Sequence, residues 1–223
     1  MTKEIKIEKN ILSKNDQVAA ELRELFARKR LLVLNLLSSP GSGKTTLLEK
    51  TIEALGSSLR LAVIAGDLQT ERDAERVRKM GATATQIETG GACHLDARMV
   101  AVALQRLELD NMDVLFIENV GNLVCPAAFD VGDDFTVVLI SVPEGDDKPG
   151  KYPTAFRKAD LVVLNKIDLV PYTNFSAQRF KTDVRKIRPD LDVFEMSCTK
   201  KEGMEAWFQW LKTKVAHKKG SAQ

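Results

Sequence analysis

The sequence is poor in the side chains that build disulfide frameworks or metal-storage tracts: its 223 residues include only three cysteines and two histidines. An odd, small number of thiols argues against a disulfide scaffold and leaves catalysis, metal binding or plain burial. No charge of one sign dominates either. Thirty-three Lys and Arg stand against 31 Asp and Glu, a formal net charge of +2, far from the basic balance of a dedicated nucleic-acid binder. Long hydrophobic runs are missing as well: the longest, Leu31 to Leu37, is interrupted by Asn35 and is too short to cross a bilayer. The opening MTKEIKIEKN has no apolar signal-peptide core. These absences predict no nucleic-acid partner, no membrane partner and a cytoplasmic location. What is present, 44% hydrophobic and 29% charged residues, is the composition of a soluble globular protein, and the length is ordinary for one α/β domain.

Within the charged stretch that precedes Leu31, Val18, Leu22, Leu25 and Phe26 recur at helical spacing after a candidate cap at Asn15 or Asp16. This predicts an amphipathic leading helix within residues 1–30, packed on a main domain of residues 31–217, with a flexible tail at 218–223. From residue 31 on, β-rich runs alternate with longer amphipathic segments: LLVLNLL, RLAVIAG, ATATQIE, VLFIEN, FTVVLIS, LVVLN and DVFEMS. That alternation predicts an α/β fold. Because the runs are nearly continuous in apolar character, the seven strands should form a mostly parallel sheet covered by helices on both faces. Ligands then belong at the strand carboxyl ends. The segment PEGDDKPGKYP reads as a long loop between two strands, either a functional loop or a solvated connector.

The run LLVLNLL, then SSPGSGKTT, then LLEKTIEAL has the strand, glycine-rich turn and helix order of a P-loop. Gly41 and Gly43 let the backbone, with Ser42 between them, wrap a phosphate, and the helix amino terminus at Thr46 points N–H groups at its oxygens. Lys44 reaches the β- and γ-phosphates and Thr45 offers a hydroxyl to Mg²⁺. Ser38 stands where the general pattern has its first glycine. A second signal selects the base. In LVVLNKIDL, Asp168 can accept two hydrogen bonds from the guanine N1–H and exocyclic amine, for which adenine has no matching donors. Asn165 steadies this loop and Lys166 covers the ring face with its stem. MSCTKK, after the last strand, reads as an accessory base loop with Ser197 and Lys200 near the guanine. The combination points to a GTPase.

Glu118 ends the strand VLFIEN, the position of a carboxylate that holds Mg²⁺ directly or through water. Asp67, at another strand end, and Asp73, one turn into the next helix, are both candidates for Mg²⁺ or for capping, and the sequence does not separate them. No glutamine or cis arginine presents itself as a catalytic finger, so Lys44, Asp67, Asp73 and Glu118 are the candidate catalytic groups of a slow hydrolase.

Cys93 and His94 are adjacent in TGGACHLDAR, where a helix should begin, and Cys125 follows in NVGNLVCPAAF. A helix amino terminus favours the thiolate that binds metal, while adjacent helical side chains diverge by about 100°. One chain then falls short of a four-coordinate site, whereas two chains related by a two-fold axis could share Zn²⁺ or Ni²⁺. Cys198 and His217 read as bystanders.

With SSPGSGKTT, GDLQTERDAER, TGGACHLDAR, LFIENVGNLVCPAAFD, EGDDKPGKYP and NKIDL in this order, the sequence resembles the HypB family of hydrogenase-maturation nickel-insertion GTPases over roughly residues 15–215. The resemblance implies a P-loop G domain of the SIMIBI class, GTP/GDP and Mg²⁺ as ligands, and a homodimer formed on GTP binding. It also implies nickel or zinc on Cys93, His94 and Cys125, a HypA-type nickel chaperone as partner and the hydrogenase large subunit as client. Lys151 would contact the nucleotide of the opposite subunit. There is no amino-terminal cysteine motif or histidine-rich stretch, so high-capacity nickel storage is not expected, and Arg98 stands where some relatives carry a second histidine. The leading expectation is a nucleotide-driven switch; the alternatives are a structural zinc dimer acting as a scaffold, or service to another enzyme such as urease, which the ENVGNLVCP segment disfavours.

Overall fold

The computed structural model describes residues 2–66 and 82–220, with side chains from residue 12 onward. Seven strands, β1 (Leu32–Ser38), β2 (Leu61–Ala65), β3 (Thr83–Gln86), β4 (Val114–Gly121), β5 (Phe135–Ser141), β6 (Leu161–Asn165) and β7 (Val193–Glu195), form one sheet in the order β3-β2-β4-β1-β5-β6-β7. Every pairing between them is parallel. Burial explains this arrangement: β1, β2 and β6 are buried at every position, whereas the edge strands β3 and β7 are mostly half-buried.

Alternate residues of each strand feed opposite layers. On one face Leu34, Leu36, Phe116 and Leu139 pack beneath helices α2 (Lys44–Leu55) and α7 (Met204–Gly220), centred on the buried Trp207. On the other, Val33, Ile64, Leu115 and Ile117 meet α1 (Thr2–Arg28) and α3 (Ala97–Leu104). Val138, Ile140 and Leu164 on that same face meet α5 (Pro153–Lys158) and α6 (Ala177–Ile187). Residue 118 therefore projects to the α2 side of the sheet and residue 119 to the α1 and α3 side. Among the described residues no helix is long and apolar enough to cross a membrane.

Three local expectations are corrected. Helix α1 does not start at Asn15 but runs through it, and Asn15 joins Ala19, Leu22 and Phe26 in the buried stripe. The PEGDDKPGKYP segment is not a loop but short helices at Val142–Glu144, α4 (Lys148–Lys151) and α5, each with a proline in its first turn. Proline suits that position because the N–H it lacks has no helical partner there. Finally, α7 continues past residue 217 to Gly220, where Lys218 and Lys219 pair with Asp134 and Asp113.

Candidate nucleotide and metal sites

At the carboxyl end of β1 the turn 39–43 leads into α2, with Gly41 at φ +75° and Gly43 at φ +103°. A Cβ on Gly43 would lie 2.5 Å from Asn165 Nδ2. Gly43→Ala is accordingly expected to lower GDP affinity by at least ~10-fold, through a left-handed backbone that alanine resists and displacement of Asn165; equilibrium titration with a fluorescent GDP checks it. Ser38 needs no positive φ, which is why serine can replace the usual glycine. Its hydroxyl donates to Ser39 O (2.7 Å) and accepts from Lys44 Nζ (2.8 Å).

Asn165 joins two loops: Nδ2 donates to Ser42 O (2.9 Å) and Oδ1 accepts from Cys198 N (3.1 Å). Lys166, at φ +61°, extends its ammonium to Gly41 O at 2.7 Å, laying its stem along the cradle. Asp168 lies in the first turn of the short helix that follows, Ile167–Tyr172. Ser197 is buried and its Oγ accepts from Lys200 N (3.2 Å), which closes the accessory turn beside Asn165. Thr45 Oγ1 donates to Glu118 Oε1 at 2.8 Å across the groove, so a hydroxyl and a carboxylate meet where the β4 end faces α2. That all-oxygen pair suits Mg²⁺. Thr46 is half-buried in the first turn of α2. Lys151 is exposed and pairs with Asp147 (2.7 Å). Asp67 and Asp73 lie outside the described residues.

Sequence reasoning missed Glu144. Its Oε1 accepts from Ser42 Oγ (2.6 Å), Ser141 N (2.7 Å) and Ser141 Oγ (2.9 Å), so the segment after β5 is anchored directly to the phosphate loop. The Ser141-Val-Pro-Glu144 spacing is that of a capping box, a signal that could have found it.

On the opposite face, ligand atoms of Cys93, His94 and Cys125 lie within 4.8 Å of one another. The two neighbours are not in a helix: α3 begins at Ala97, capped by Asp96, whose carboxylate accepts from Met99 N. In non-helical backbone adjacent side chains need not diverge, and Cys93 Sγ is 3.6 Å from His94 Nδ1. The helix-terminus argument for an acidic thiol does not apply, because Cys93 precedes the start of α3; the neighbouring Cys125 thiol, followed by burial, raises the Cys93 pKa. Burial lowers that of His94, which stacks on Phe129 with ring centroids 3.9 Å apart. Two thiols and a largely neutral imidazole form a donor set for a borderline or soft divalent cation. One chain thus supplies three donors, one short of a tetrahedral or square-planar shell. Cys198 stays outside this cluster, buried, its thiol pushed up to about 12 by desolvation.

The metal loops are tied to the nucleotide side by asparagines the sequence did not single out. Asn122 Nδ2 donates to Cys93 O (3.3 Å), and the Asn122 backbone is bridged to Ser38. Asn119 Oδ1 accepts from Leu95 N (2.9 Å) while its Nδ2 donates to Asn35 Oδ1 (3.2 Å) in the middle of β1.

A parallel sheet carrying a glycine-rich cradle, a candidate guanine loop and a thiol-imidazole cluster defines a P-loop nucleotide-binding protein with a candidate metal site. Residues 32–195 match the family model for the CobW/HypB/UreG nucleotide-binding domain. The chain is 50% identical over 209 residues to the hydrogenase maturation factor HypB of Escherichia coli K12, covering 94% of this chain and 72% of that protein. It is 47% identical over 213 residues to the hydrogenase/urease maturation factor HypB of Helicobacter pylori 26695, covering 94% and 87%. A crystal structure of Helicobacter pylori HypB in complex with nickel superimposes with a TM-score of 0.87 at 46% identity, covering 92% of this chain and 96% of that one. The chain belongs to the HypB family of hydrogenase-maturation GTPases.

Proposed function

We propose that this GTPase carries nickel at a site completed between two subunits and releases it toward a hydrogenase under control of the bound nucleotide. In this reading Lys44 and the N–H groups of Gly41 to Thr46 hold the phosphates, and Asn165, Lys166, Asp168, Ser197 and Lys200 form the guanine pocket. Lys151, exposed on α4, meets the nucleotide of the opposite subunit. Thr45 and Glu118 hold Mg²⁺, together with Asp67 or Asp73; the ion supplies charge neutralisation at the phosphates. Cys93, His94 and Cys125 take nickel as cargo, with zinc as competitor. A HypA-type chaperone and the hydrogenase large subunit are the partners this reading requires.

One observation carries the coupling: Lys44 bonds Ser38, the Ser38 backbone is bridged to Asn122, and the Asn122 side chain bonds Cys93 O. Rearrangement of the phosphate lysine on GTP binding is thereby three hydrogen-bonded steps from a metal ligand. The three-donor cluster gives the second element, because a four-coordinate ion must take its remaining ligand from elsewhere, and a two-fold partner offers the same donors.

A ligand shifts a conformational equilibrium only through differential affinity for its states. Nickel affinity measured with GDP and with a non-hydrolysable GTP analogue should therefore differ by ~5- to 150-fold, the usual range of such couplings, with a parallel change from monomer to dimer by light scattering. Equal affinities would leave only the scaffold reading. The Helicobacter relative's name favours urease as a second client; complementation of a hydrogenase-deficient and of a urease-deficient host distinguishes the two.

A further inference from the structure

We propose that Asn15 is a positioning residue of the metal site: its single amide holds the Cys93-His94 loop and the Cys125 loop at a fixed separation, from a helix outside the nucleotide-binding module. The inference rests on the reading of Cys93, His94 and Cys125 as metal ligands.

A buried amide costs free energy unless its hydrogen bonds are satisfied. Asn15 sits inside α1 at 4% exposure, where an apolar residue would pack at lower cost. Both ends of its amide are used by other segments. Oδ1 accepts from Ala97 N at 2.9 Å, and Nδ2 donates to Asp130 O at 2.8 Å. The Ala97 N–H belongs to the first turn of α3, where backbone donors have no partner within the helix. Asn15 therefore fixes where the chain leaves Cys93 and His94 and enters α3. Asp130 follows Phe129, the ring on which His94 stacks, at the end of the segment that carries Cys125. One side chain thus fixes the downstream ends of both ligand loops.

The helix is itself seated closely on the second loop. Arg23, two turns after Asn15, donates through Nη2 to both carboxylate oxygens of Asp130 (2.9 and 2.8 Å), and Gly132 N donates to Asp130 Oδ1 (2.8 Å). Gly132 has φ +81°, and a Cβ there would lie 2.9 Å from Ala19 O and from Leu22 Cβ. The separation between α1 and this turn consequently has no slack. Ala19, Leu22 and Phe26 complete the seat by packing with Leu95, Ala97 and Val131.

The family model begins at residue 32. The phosphate cradle and the base loop at Asn165 to Asp168 lie inside it, while the amide joining the metal loops does not. Loss of Asn15 should then loosen the metal site without touching the nucleotide site. Groups that orient metal ligands are worth 10- to 100-fold in metal affinity.

The test uses the full chain as Asn15→Ala, titrated with Ni²⁺ alone against a chromophoric chelator. The thiolate-to-nickel absorption bands are recorded at saturation, and GDP affinity and thermal unfolding are measured on the same samples. The expected result is a ~10- to 100-fold loss of nickel affinity with shifted bands per bound ion and GDP affinity unchanged. A folded variant with native nickel affinity and native bands would overturn the proposal. If Asn15→Ala does not fold, Arg23→Met, which releases Asp130 from an exposed position, should lower nickel affinity by at least ~3-fold with the same band shift, less than removal of the amide itself; unchanged values overturn the proposal in the same way. A wild-type control against Cys93→Ala separates the failures: equal nickel affinities there would remove the metal-site reading and this inference with it, whereas a large difference combined with a native-like Asn15→Ala removes this inference alone.

Discussion

Asp168→Asn is expected to exchange the base preference of this protein from guanine to xanthine nucleotides, with GDP affinity falling by on the order of 100- to 10,000-fold. An aspartate carboxylate is acceptor-only and complements the N1–H and exocyclic amine of guanine together. Hydrogen bonds to a charged group are worth ~1.5–3 kcal/mol each, and loss of two such bonds gives that range. An asparagine faces the same edge with an amide that both donates and accepts, which suits the exocyclic oxygen of xanthine. The exchange should occur without collapse of the pocket, because its walls are held by other contacts. Asn165 bridges Ser42 O and Cys198 N, and Lys166 Nζ bonds Gly41 O. Calorimetric titration with GDP and XDP measures both sides of the exchange, and GDP affinity within about threefold of wild type would remove Asp168 from the base pocket.

Cys125→Ala is expected to lower nickel affinity by roughly 100- to 1,000-fold while GDP binding stays native. A four-ligand structural zinc site contributes ~10–16 kcal/mol in total, so one thiolate among a few donors is worth ~2.5–4 kcal/mol. The site has no spare ligand to compensate, because Cys93, His94 and Cys125 are the only group of three or more such donors within metal-binding reach among the described residues. Folding should survive the change: Cys125 is half-buried at the start of a short helical turn, where alanine fits. Nickel competition titration and a thermal melt on the same sample separate lost coordination from lost structure. Wild-type nickel affinity in a folded Cys125→Ala protein would exclude this cluster as the cargo site.

The two sites differ in how far they could be read without a fold. SSPGSGKTT and NKIDL are contiguous stretches in which backbone freedom and side-chain chemistry must coincide at fixed spacing, so their residues are legible as a list. The Cys-His pair was legible as chemistry, but its geometry was misjudged. Helix start signals place boundaries only to within a few residues, and the shift of α3 to Ala97 turns a diverging pair of side chains into a converging one. Asn15 shows the opposite error. Asparagine is favoured at helix caps and costly in buried helix interiors, so local preference pointed to a cap. The actual partners, Ala97 N and Asp130 O, are far along the chain and invisible to any local window. Glu144 was hidden for a related reason: its capping-box spacing explains the bonds to Ser141 but not the one to Ser42.

By itself the sequence determined the parallel α/β architecture, through apolar runs that only a doubly covered sheet can bury, and the two kinds of chemistry the chain can perform. Tertiary structure decided how the chemistries are joined. Glu118 and Asn119 are neighbours whose side chains leave β4 on opposite faces, one toward Thr45 and the other toward Leu95. Only the folded sheet, with β1 lying between β4 and β5, makes that alternation a connection from phosphate loop to metal loop. Hydrogen bonds are short-ranged and directional, so which distant segments they join depends on the packed positions of whole elements, which no sequence window contains.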